Sequence, residues 1–343
     1  MEKVLVALSG GVDSSTSALL LKEQGYDVHS ATMIFQGITD EVIEYARDAA
    51  HELDIPFQVF DFTKEFHAMI LSDFLREYER GRTPNPCIRC NELMKFGVFM
   101  DRAHQLGIDK IATGHYARIE QDEDRYLLKR GLDKNEQSYF LYRLKQKQLA
   151  KLMLPLADFT KEMVRQKASS SNLPTAKRKK SQDICFISEK NYTSFLTGKA
   201  RSKPGAICDK TGKIIGEHKG IIAYTIGQRK GIGLSHKLPY YVTDIDAEKN
   251  IIYVGKQQDV YRSQFIAKHL NFIPFDKLIS KIVVRAKTRY VSSLSEAAIE
   301  PYKKGSLKVV FKKAQWAVTP GQSVVFYSDD SVLGGGIIER VLD

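Results

Sequence analysis

The sequence is poor in cysteine and tryptophan, with four Cys and one Trp in 343 residues, and it has no long hydrophobic run. Four cysteines cannot form a disulfide scaffold for a chain of this size. The apolar stretch at residues 4–8 ends in glycines, far short of the roughly 18 apolar residues that a membrane span needs. No secretory signal is found either, so we expect a cytoplasmic protein without membrane contact, whose cysteines are catalytic, metal-binding or inert.

Disorder is excluded by the 17 Phe and 16 Tyr, and the length predicts two or three domains.

The net charge of +11 is unevenly distributed. Residues 1–60 carry three basic and ten acidic side chains, whereas residues 262–313 carry twelve basic and three acidic ones. A segregated basic surface is typical of proteins that bind a polyphosphate such as nucleic acid, although a solvated surface has the same composition.

The first 200 residues alternate between strand and helix patterns. Apolar strands are predicted at residues 3–8, 28–35, 57–60 and 110–113, with helices at 14–24, 40–53 and 92–106. This alternation predicts an α/β doubly wound parallel sheet. From about residue 203, short alternating runs separated by turn signals predict a small β-rich central domain and then a C-terminal β-barrel. We therefore expect domains at 1–202, 203–266 and 267–343.

Residues 9–15, Ser-Gly-Gly-Val-Asp-Ser-Ser, lie between the first strand and the first helix. The glycines permit a tight turn, and the helix start offers free N–H groups to a phosphate. The pattern is not a Walker loop, because Gly-Lys-Ser/Thr is absent from the chain, and no dinucleotide fingerprint occurs at this turn. It resembles instead the loop of ligases that split ATP between its α and β phosphates. An ordinary capped turn is the alternative.

Cys87 and Cys90 follow a turn braced by Pro84 and Pro86. We expect Asn91 to cap a following helix, and the helix start beside Arg89 to favour the Cys90 thiolate. A zinc site is an alternative, but no second Cys-x-x-Cys or His pair completes it. Cys185 follows a basic run in a Ser-Gln-Asp-Ile-Cys-Phe-Ile segment, where a buried structural cysteine is the alternative.

Together these motifs resemble the tRNA-specific 2-thiouridylase family, the MnmA type, over nearly the entire chain. The matching stretches are residues 9–15, 81–86, 90–91, 112–116, 137–141, 181–187, 218–220, 224–231, 289–290, 320–322 and 334–336. The resemblance implies ATP-dependent 2-thiolation of the wobble uridine, position 34, in tRNAs for Lys, Glu and Gln. It also implies adenylation of the uracil O2, followed by sulfur transfer from a persulfide.

The resemblance assigns roles to individual residues. Cys90 matches the family's nucleophile and Cys185 its persulfide cysteine, which pairs with Cys90 in a transient disulfide; Asp13 is added as a catalytic candidate. ATP contacts are implied for Ala7, Leu8, Ser9, Gly10, Gly11, Val12, Asp13, Ser14, Met33 and Gly114. Asn85, Pro86 and Cys87 match the stretch facing the target base. Contacts to tRNA are implied for His115, Glu136, Gln137, Ser138, Arg289, Tyr290 and Gln322.

The implied partners are the tRNA anticodon arm and a cysteine desulfurase or sulfur-relay protein as sulfur donor, with Mg²⁺ accompanying ATP. The sequence departs from the family in two places. The region at 34–43 is short, and Cys87 stands where the family usually has Asp. Three thiols at 87, 90 and 185 would suit an iron–sulfur cluster, while the persulfide route explains Cys90 and Cys185 without metal.

Two other functions remain open at this point. A ligase acting on a small molecule would have the same phosphate loop but would not need the basic β-rich part of the chain. A tRNA-binding module with a vestigial ATP site would retain the basic surface, but the intact loop at residues 9–15 argues against it.

Overall fold

The computed structural model describes residues 1–178, 184–187, 195–196, 198, 203–234 and 239–343. The chain forms two compact units, each assembled from separate stretches. The first contains Met1–Ile70, Cys87–Ser188 and Asp330–Leu333. The second contains Leu71–Pro86, Glu189–Asp329 and Gly334–Asp343.

A parallel sheet forms the centre of the first unit. Its strands are β1 (Lys3–Ala7), β2 (Asp27–Ile34), β3 (Phe57–Asp61), β4 (Lys110–Ala112) and β7 (Leu152–Met153). They lie in the order β3-β2-β1-β4-β7. From β1 the chain builds β2 and β3 on one side and then places β4 on the other, so a topological switch point lies between β1 and β4. Ligands of open α/β sheets bind at the carboxyl ends of the strands at such a point.

Helices connect these strands, and the connection between β3 and β4 contains two π-helical segments. The π-helical segment His67–Leu71 joins α3 to α4, and Asn91–Val98 joins α5 to α6. The α-helices are α1 (Val12–Glu23), α2 (Asp40–Glu52), α3 (Thr63–Phe66), α4 (Ser72–Glu79), α5 (Pro86–Cys90), α6 (Phe99–Gln105), α7 (Gln146–Leu149) and α8 (Lys161–Ser170). Short 3₁₀ turns occur at Ser138–Leu141, Pro174–Lys177, Ile221–Ala223 and Gln257–Val260.

The core of the first unit is formed by β1, α1 and α8. Val4 and Val6 are fully buried and share one apolar cluster with Ala18 of α1 and Val164 of α8. Burial on both faces explains why β1 is continuously apolar instead of alternating. This packing fixes the loop between β1 and α1 relative to the sheet.

An antiparallel hairpin completes the first unit. It consists of β5 (Ala117–Asp122) and β6 (Arg125–Arg130), joined through a turn in which Glu123 has a positive φ of 49°. Residues 330–333 pair with β6, with Ser331 opposite Lys129.

The second unit contains a small sheet and a barrel. The sheet has the order β10-β11-β8-β9, built from β8 (Gly205–Cys208), β9 (Ile214–His218), β10 (Tyr241–Asp246) and β11 (Ile251–Gly255). The barrel strands are β12 (Tyr261–Phe272), β13 (Ile282–Lys287), β14 (Ser295–Pro301), β15 (Ser306–Trp316), β16 (Ser323–Ser328) and β17 (Ser331–Val341). They follow the order β12-β15-β14-β13-β16-β17, and pairing of β17 with β12 closes the barrel.

The predicted fold class is confirmed: a doubly wound α/β part precedes a small β-rich part and a barrel. The predicted strands at 3–8, 28–35, 57–60 and 110–113 all form, each ending within about two residues of its expected bounds. The sequence patterns did not predict the β5–β6 hairpin or α8. Within the described residues, no helix is both long and apolar enough to cross a membrane.

Candidate functional site

The loop at residues 9–15 lies at the switch point of the first unit. It begins at the carboxyl end of β1 and leads into α1, while Thr113 and Gly114 follow the carboxyl end of β4, which pairs with β1. Gly10 has a φ of +63°, a left-handed conformation that glycine adopts without strain. Gly11 is the helix N-cap and has no side chain to occupy the first helical amides. These amides and the helix dipole can therefore bind a phosphate.

Serine hydroxyls hold the loop in shape. Ser14 Oγ accepts a hydrogen bond from the Ser9 amide at 3.1 Å and lies 3.2 Å from Ser9 Oγ. Ser14 and Ser15 both donate to the Gly11 carbonyl, at 3.0 and 2.9 Å. Thr175 fixes Ser15 from outside the loop through a 3.0 Å bond between their hydroxyls. The loop is thus preorganised by its own side chains.

Gly114 packs directly against this loop. A Cβ on Gly114 would lie 2.7 Å from the Asp13 carbonyl carbon and 2.8 Å from the Ser14 nitrogen. Any larger residue would displace the start of α1. Met33 lies half-buried near the carboxyl end of β2, beside β1. Met33 and Gly114, which are both predicted to contact ATP, therefore lie at the carboxyl edge of the sheet beside the loop.

Asp13 has two partners that the sequence analysis did not identify. Lys161, the first residue of α8, places its Nζ 2.7 Å from both carboxylate oxygens of Asp13. The Tyr116 hydroxyl donates to Asp13 Oδ1 at 2.5 Å. The helix dipole disfavours a lysine at a helix N-terminus. The position of Lys161 at the start of α8 is therefore the sequence feature that could have indicated an anionic partner for this side chain.

Arg178 also contacts the phosphate loop. Its guanidinium donates to the Gly10 carbonyl at 2.6 Å and lies over the Tyr45 ring at 4.5 Å from the centroid. Arg178 belongs to the basic run at residues 177–180 that precedes Cys185. Lys179 and Lys180 lie outside the described residues, as do residues 181–183 of the cysteine motif.

Cys87 and Cys90 lie on α5, which begins at Pro86. The prediction that Asn91 caps a new helix is wrong. The helix already begins at Pro86, whose fixed φ suits the first helical position, and α5 continues through Asn91 into the π-helical segment. The expected thiolate at Cys90 is also wrong. Burial raises the pKa of Cys90 to about 11, since desolvation outweighs the attraction of Lys95.

Cys185 is held by an aromatic stack and a glycine. Phe186 meets Phe66 edge-on at 5.3 Å, and Phe66 stacks on Phe35 at 4.4 Å. Gly37 approaches so closely that a Cβ there would lie 2.5 Å from the Cys185 carbonyl oxygen. Cys185 itself is exposed, unlike the buried structural cysteine considered as the alternative, whereas Phe186 and Ile187 are buried.

The three cysteines of the first unit lie within electrostatic reach of one another. Although Cys185 is exposed as a residue, the surrounding protein desolvates its thiol and raises the pKa to about 12, and Cys90 and Cys87 add to the increase. Burial likewise raises the pKa of Cys87. All three thiols are free. Cys208, on β8 of the second unit, is buried and also free.

These cysteines do not form a ligand set for a metal. Across the described ranges, which include all four cysteines, no group of three or more His, Cys, Asp or Glu side chains is arranged to hold a metal ion. The iron–sulfur hypothesis and the zinc alternative therefore lack the required geometry, and we derive no step through a cluster.

The π-helical segment after Cys90 is supported by α7 and its neighbours. Gln148 Nε2 donates to the carbonyls of Phe96 at 2.6 Å and Glu92 at 3.2 Å. The Glu92 carboxylate binds Arg143 at 2.6 and 2.9 Å. π-Helical turns are common at functional sites, and these bonds fix this one next to the cysteines.

The tRNA contacts predicted in the first unit are mostly inside the protein. Glu136 and Ser138 are buried, with Glu136 accepting a 2.8 Å bond from the Ser138 amide. His115 is also buried, and desolvation holds the pKa of this histidine well below its ordinary value, so the ring is neutral. Gln137 is half-buried and is the most accessible of these four side chains.

The remaining predicted contacts lie in the second unit. Gln322 donates to the Thr83 carbonyl at 2.8 Å, which brings it beside the stretch that includes Asn85 and Pro86. Arg289 donates to Thr319 Oγ1 at 2.6 Å. Lys287 lies over the Tyr290 ring at 5.8 Å.

Comparison with known proteins gives three domain matches. The chain matches the tRNA methyl transferase HUP domain over residues 2–189, the tRNA methyl transferase PRC-barrel domain over 193–256 and the aminomethyltransferase beta-barrel domain over 262–338. The first of these covers more than half of the chain.

Full-length relatives are also found. The tRNA-specific 2-thiouridylase MnmA of Clostridium beijerinckii is 46% identical and aligns over 99% of both chains. MnmA 1 of Caldanaerobacter subterraneus subsp. tengcongensis is 48% identical over 98% of both chains. MnmA of Clostridium perfringens is 44% identical over 99% of both chains.

Proposed function

Because the chain belongs to the tRNA-specific 2-thiouridylase family of tRNA sulfurtransferases, we propose that it uses ATP to place sulfur on C2 of the wobble uridine, position 34, in tRNAs for Lys, Glu and Gln. The observation that carries this proposal is the presence of the phosphate loop and three neighbouring thiols in one compact unit. A phosphate loop can activate the uracil oxygen, and the thiols can carry and release sulfur.

ATP is expected to bind at the switch point between β1 and β4. The amides of Gly11, Val12 and Asp13 would receive its phosphates, and the nucleoside would lie between Met33 and Gly114. Asp13 is the only carboxylate in the loop, and carboxylate and phosphate oxygens are suitable ligands for Mg²⁺. The ion, when bound, would neutralise charge on the phosphates.

The first chemical step activates the base. The uracil O2 attacks the α-phosphorus, the bond to the bridging oxygen breaks, and pyrophosphate leaves from the loop. The oxygen on C2 is then part of an AMP ester, which is a far better leaving group than the original oxygen. The residues of the loop hold the phosphates in line for this displacement.

The second step uses Cys185 and Cys90. The terminal sulfur of a Cys185 persulfide attacks C2, and the C2–O bond breaks to release AMP. Cys90 then loses its proton and attacks Cys185 Sγ, which breaks the S–S bond of the persulfide and leaves sulfur on the base. The product is a Cys90–Cys185 disulfide, and an external thiol must supply two electrons to reduce it. Cys87, which lies near both, is not required for this balance.

The second unit and the exposed part of the first are expected to bind the tRNA anticodon arm. Arg289, Tyr290 and Gln322 lie in the second unit, and the basic excess of residues 262–313 lies there too. A cysteine desulfurase or a sulfur-relay protein is the expected sulfur donor. Because Cys185 is exposed, such a donor has access to it. We place the reaction in the cytoplasm.

Reconstitution tests the proposal. Purified protein, Mg²⁺, ATP, a persulfide donor and the tRNA for Lys should give 2-thiouridine by nucleoside mass spectrometry, together with AMP. Cys90→Ser and Cys185→Ser should each abolish thiouridine while release of pyrophosphate continues, because adenylation of the base precedes the steps that use these thiols. Cys208→Ser is the matched control, because it removes a buried thiol from the other unit and should retain activity.

Three outcomes would contradict the proposal. AMP formed with a small amine and without tRNA would favour a small-molecule ligase. Binding of tRNA without any AMP would favour a binding module. Thiouridine formed equally well by Cys185→Ser would remove the persulfide step.

A further inference from the structure

The Asp13 carboxylate is occupied by protein donors. Its Oδ1 accepts from the Tyr116 hydroxyl at 2.5 Å and from Lys161 Nζ at 2.7 Å, and its Oδ2 accepts from Lys161 Nζ at 2.7 Å. An oxygen that already accepts two short hydrogen bonds is a poor ligand for a cation. In this arrangement Asp13 is held away from any metal that accompanies ATP.

Both donors are connected to one other segment of the first unit, residues 133–138. Gln137 is bonded twice to Tyr116: its amide donates to the Tyr116 carbonyl at 2.7 Å, and its side-chain oxygen accepts from the Tyr116 amide at 3.1 Å. Asp133 accepts from the Lys161 amide at 2.7 Å. Residues 136–138 therefore connect to Asp13 through Tyr116, and Asp133 connects to it through Lys161.

The protonation states keep these bonds in place at neutral pH. Burial and the bond to Asp13 raise the pKa of Tyr116, so its hydroxyl stays protonated and donates. Burial opposes ionisation of Asp133, but hydrogen bonds from the amides of Lys161 and Asn135 lower the pKa of Asp133 overall. Asp133 is therefore an anionic acceptor that fixes the start of α8.

We propose that Tyr116 is a positioning residue that holds Asp13 in a closed arrangement until tRNA engages Gln137. This inference rests on the proposed function, since residues 136–138 are there expected to contact tRNA. Movement of Gln137 would pull on the Tyr116 backbone through two hydrogen bonds and withdraw the hydroxyl from Asp13. Oδ1 would then accept a hydrogen bond from Lys161 alone, which leaves it an acceptor position for the Mg²⁺ of bound ATP.

Such an arrangement would limit cleavage of ATP in the absence of tRNA. Among residues 136–138, Gln137 has the most accessible side chain, so it is the one of these three that a large ligand can reach. Glu136 and Ser138 are buried and hydrogen-bonded to each other, so the residues on both sides of Gln137 are held in place. A displacement of Gln137 would therefore act on Tyr116. Arg130, which bonds to Glu136 at 3.3 Å, anchors the same segment to β6.

Equilibrium binding of a non-hydrolysable ATP analogue with Mg²⁺, with and without tRNA, tests this inference. Wild-type protein should bind the analogue more tightly when tRNA is present. Tyr116→Phe keeps the ring but loses the hydroxyl, so it should bind the analogue in the absence of tRNA about 10-fold more tightly than wild type, a typical effect of one hydrogen bond to a charged group. Loss of structure would weaken binding, so tighter binding identifies a positioning role.

Gln137→Ala should lose the effect of tRNA on analogue binding, whereas Tyr116→Phe should bind the analogue tightly without tRNA. Gln137→Ala removes the side-chain bond to Tyr116, so tRNA should bind but no longer enhance analogue binding. The double variant should behave like Tyr116→Phe, because Gln137 acts on Asp13 only through the Tyr116 hydroxyl, which this variant lacks. Tyr126→Phe, a tyrosine of β6 in the same unit, is the control and should behave like wild type.

The outcomes separate the two proposals. If wild type binds no analogue under any condition, the proposed function and this inference both fail. If tRNA enhances binding by wild type, but Tyr116→Phe binds the analogue no more tightly than wild type without tRNA, only the restraint by Tyr116 is overturned. Unchanged enhancement in Gln137→Ala would overturn the link through Gln137.

Discussion

Gly37 lies so close to Cys185 that position 37 has no space for a side chain: a Cβ there would lie 2.5 Å from the Cys185 carbonyl oxygen and 2.5 Å from the Phe186 Cα. The two residues are 148 positions apart in sequence. The loop after β2 thus defines where Cys185 lies, although it contributes no reactive group.

Gly37→Ala should therefore displace Cys185. We expect thiolation to fall about 100-fold, as for a misplacement of roughly 1 Å at a reacting group, with ATP binding unchanged. Gly212→Ala is the matched control: its φ of +84° resembles the +96° of Gly37, but no atom lies within 4 Å of its added Cβ. Nucleoside mass spectrometry compares the two. Equal losses would show that backbone strain alone is responsible.

The thiols should react faster as pH rises. Desolvation places the pKa values of Cys90 and Cys185 at about 11 and about 12, so both are protonated at neutral pH. The thiolate fraction, and the rate of alkylation by iodoacetamide, should increase about 10-fold per pH unit between pH 7 and 9. Lys95→Met should slow alkylation of both residues, since Lys95 lowers both pKa values. A rate independent of pH would contradict these shifts.

The same pKa shifts predict lower stability in alkaline solution. Above pH 9 the unfolded chain loses the Cys90 proton, whereas the folded chain keeps it until about pH 11. The unfolded state then binds fewer protons, so the free energy of unfolding falls as pH rises through this window. Thermal unfolding at pH 8 and pH 10 should show a smaller decrease in Tm for Cys90→Ala than for wild type. Equal decreases would assign the effect to other groups.

Arg82 and Arg80 offer a matched pair within the second unit. Both pair with Glu77, but Arg82 is 19% exposed and also binds Glu339 at 3.0 Å, whereas Arg80 is 63% exposed with its guanidinium 3.6 Å from Glu77. Arg82→Ala should lower the free energy of unfolding by about 3 kcal/mol, because it removes the least exposed partner of two partly buried carboxylates and leaves Glu77 with only the longer pair to Arg80. Arg80→Ala should change it by less than about 1 kcal/mol. Urea unfolding measures both, and similar losses would contradict the argument from burial.

Gln148 should matter for sulfur transfer through the backbone it supports. Gln148→Leu leaves the carbonyls of Glu92 and Phe96 without this donor, at a cost of about 1–3 kcal/mol, and should reduce thiolation by shifting Cys90. Gln146→Leu is the control, since Gln146 bonds the backbone of Tyr126 on β6 at 2.7 and 3.0 Å. It should lower stability without reducing thiolation. Equal thiolation in both variants would show that the π-helical segment does not position Cys90.

The sequence predicted those parts of the fold and site that depend on local patterns. An apolar strand followed by Ser-Gly-Gly places the loop at residues 9–15, and parallel connectivity brings Gly114 next to it. Lys161 could not be assigned in this way, because its partner Asp13 is 148 residues away and only folding brings them together.

The error at Cys90 has the same origin. The sequence shows a nearby Arg89 and the start of a helix, which both favour a thiolate. Burial depends on what packs over the cysteine, and that is determined by distant segments. The pKa of Cys90 therefore rises although its sequence neighbours predict the opposite. The roles assigned by resemblance to Cys185, Gln137 and the tRNA-contacting residues remain predictions.

The way in which the chain alternates between its two units has a consequence for biosynthesis. Residues 330–333 belong to the first unit, where the Arg130 amide donates to the Asp330 carbonyl at 2.9 Å. During synthesis, residues 330–333 emerge from the ribosome about 200 residues after Arg130, so the edge of the β5–β6 hairpin stays unpaired until nearly the entire chain has been made. Contacts of such long sequence separation slow folding. A nascent chain that stalls before residue 330 would therefore expose an unpaired strand edge and be a target for chaperones.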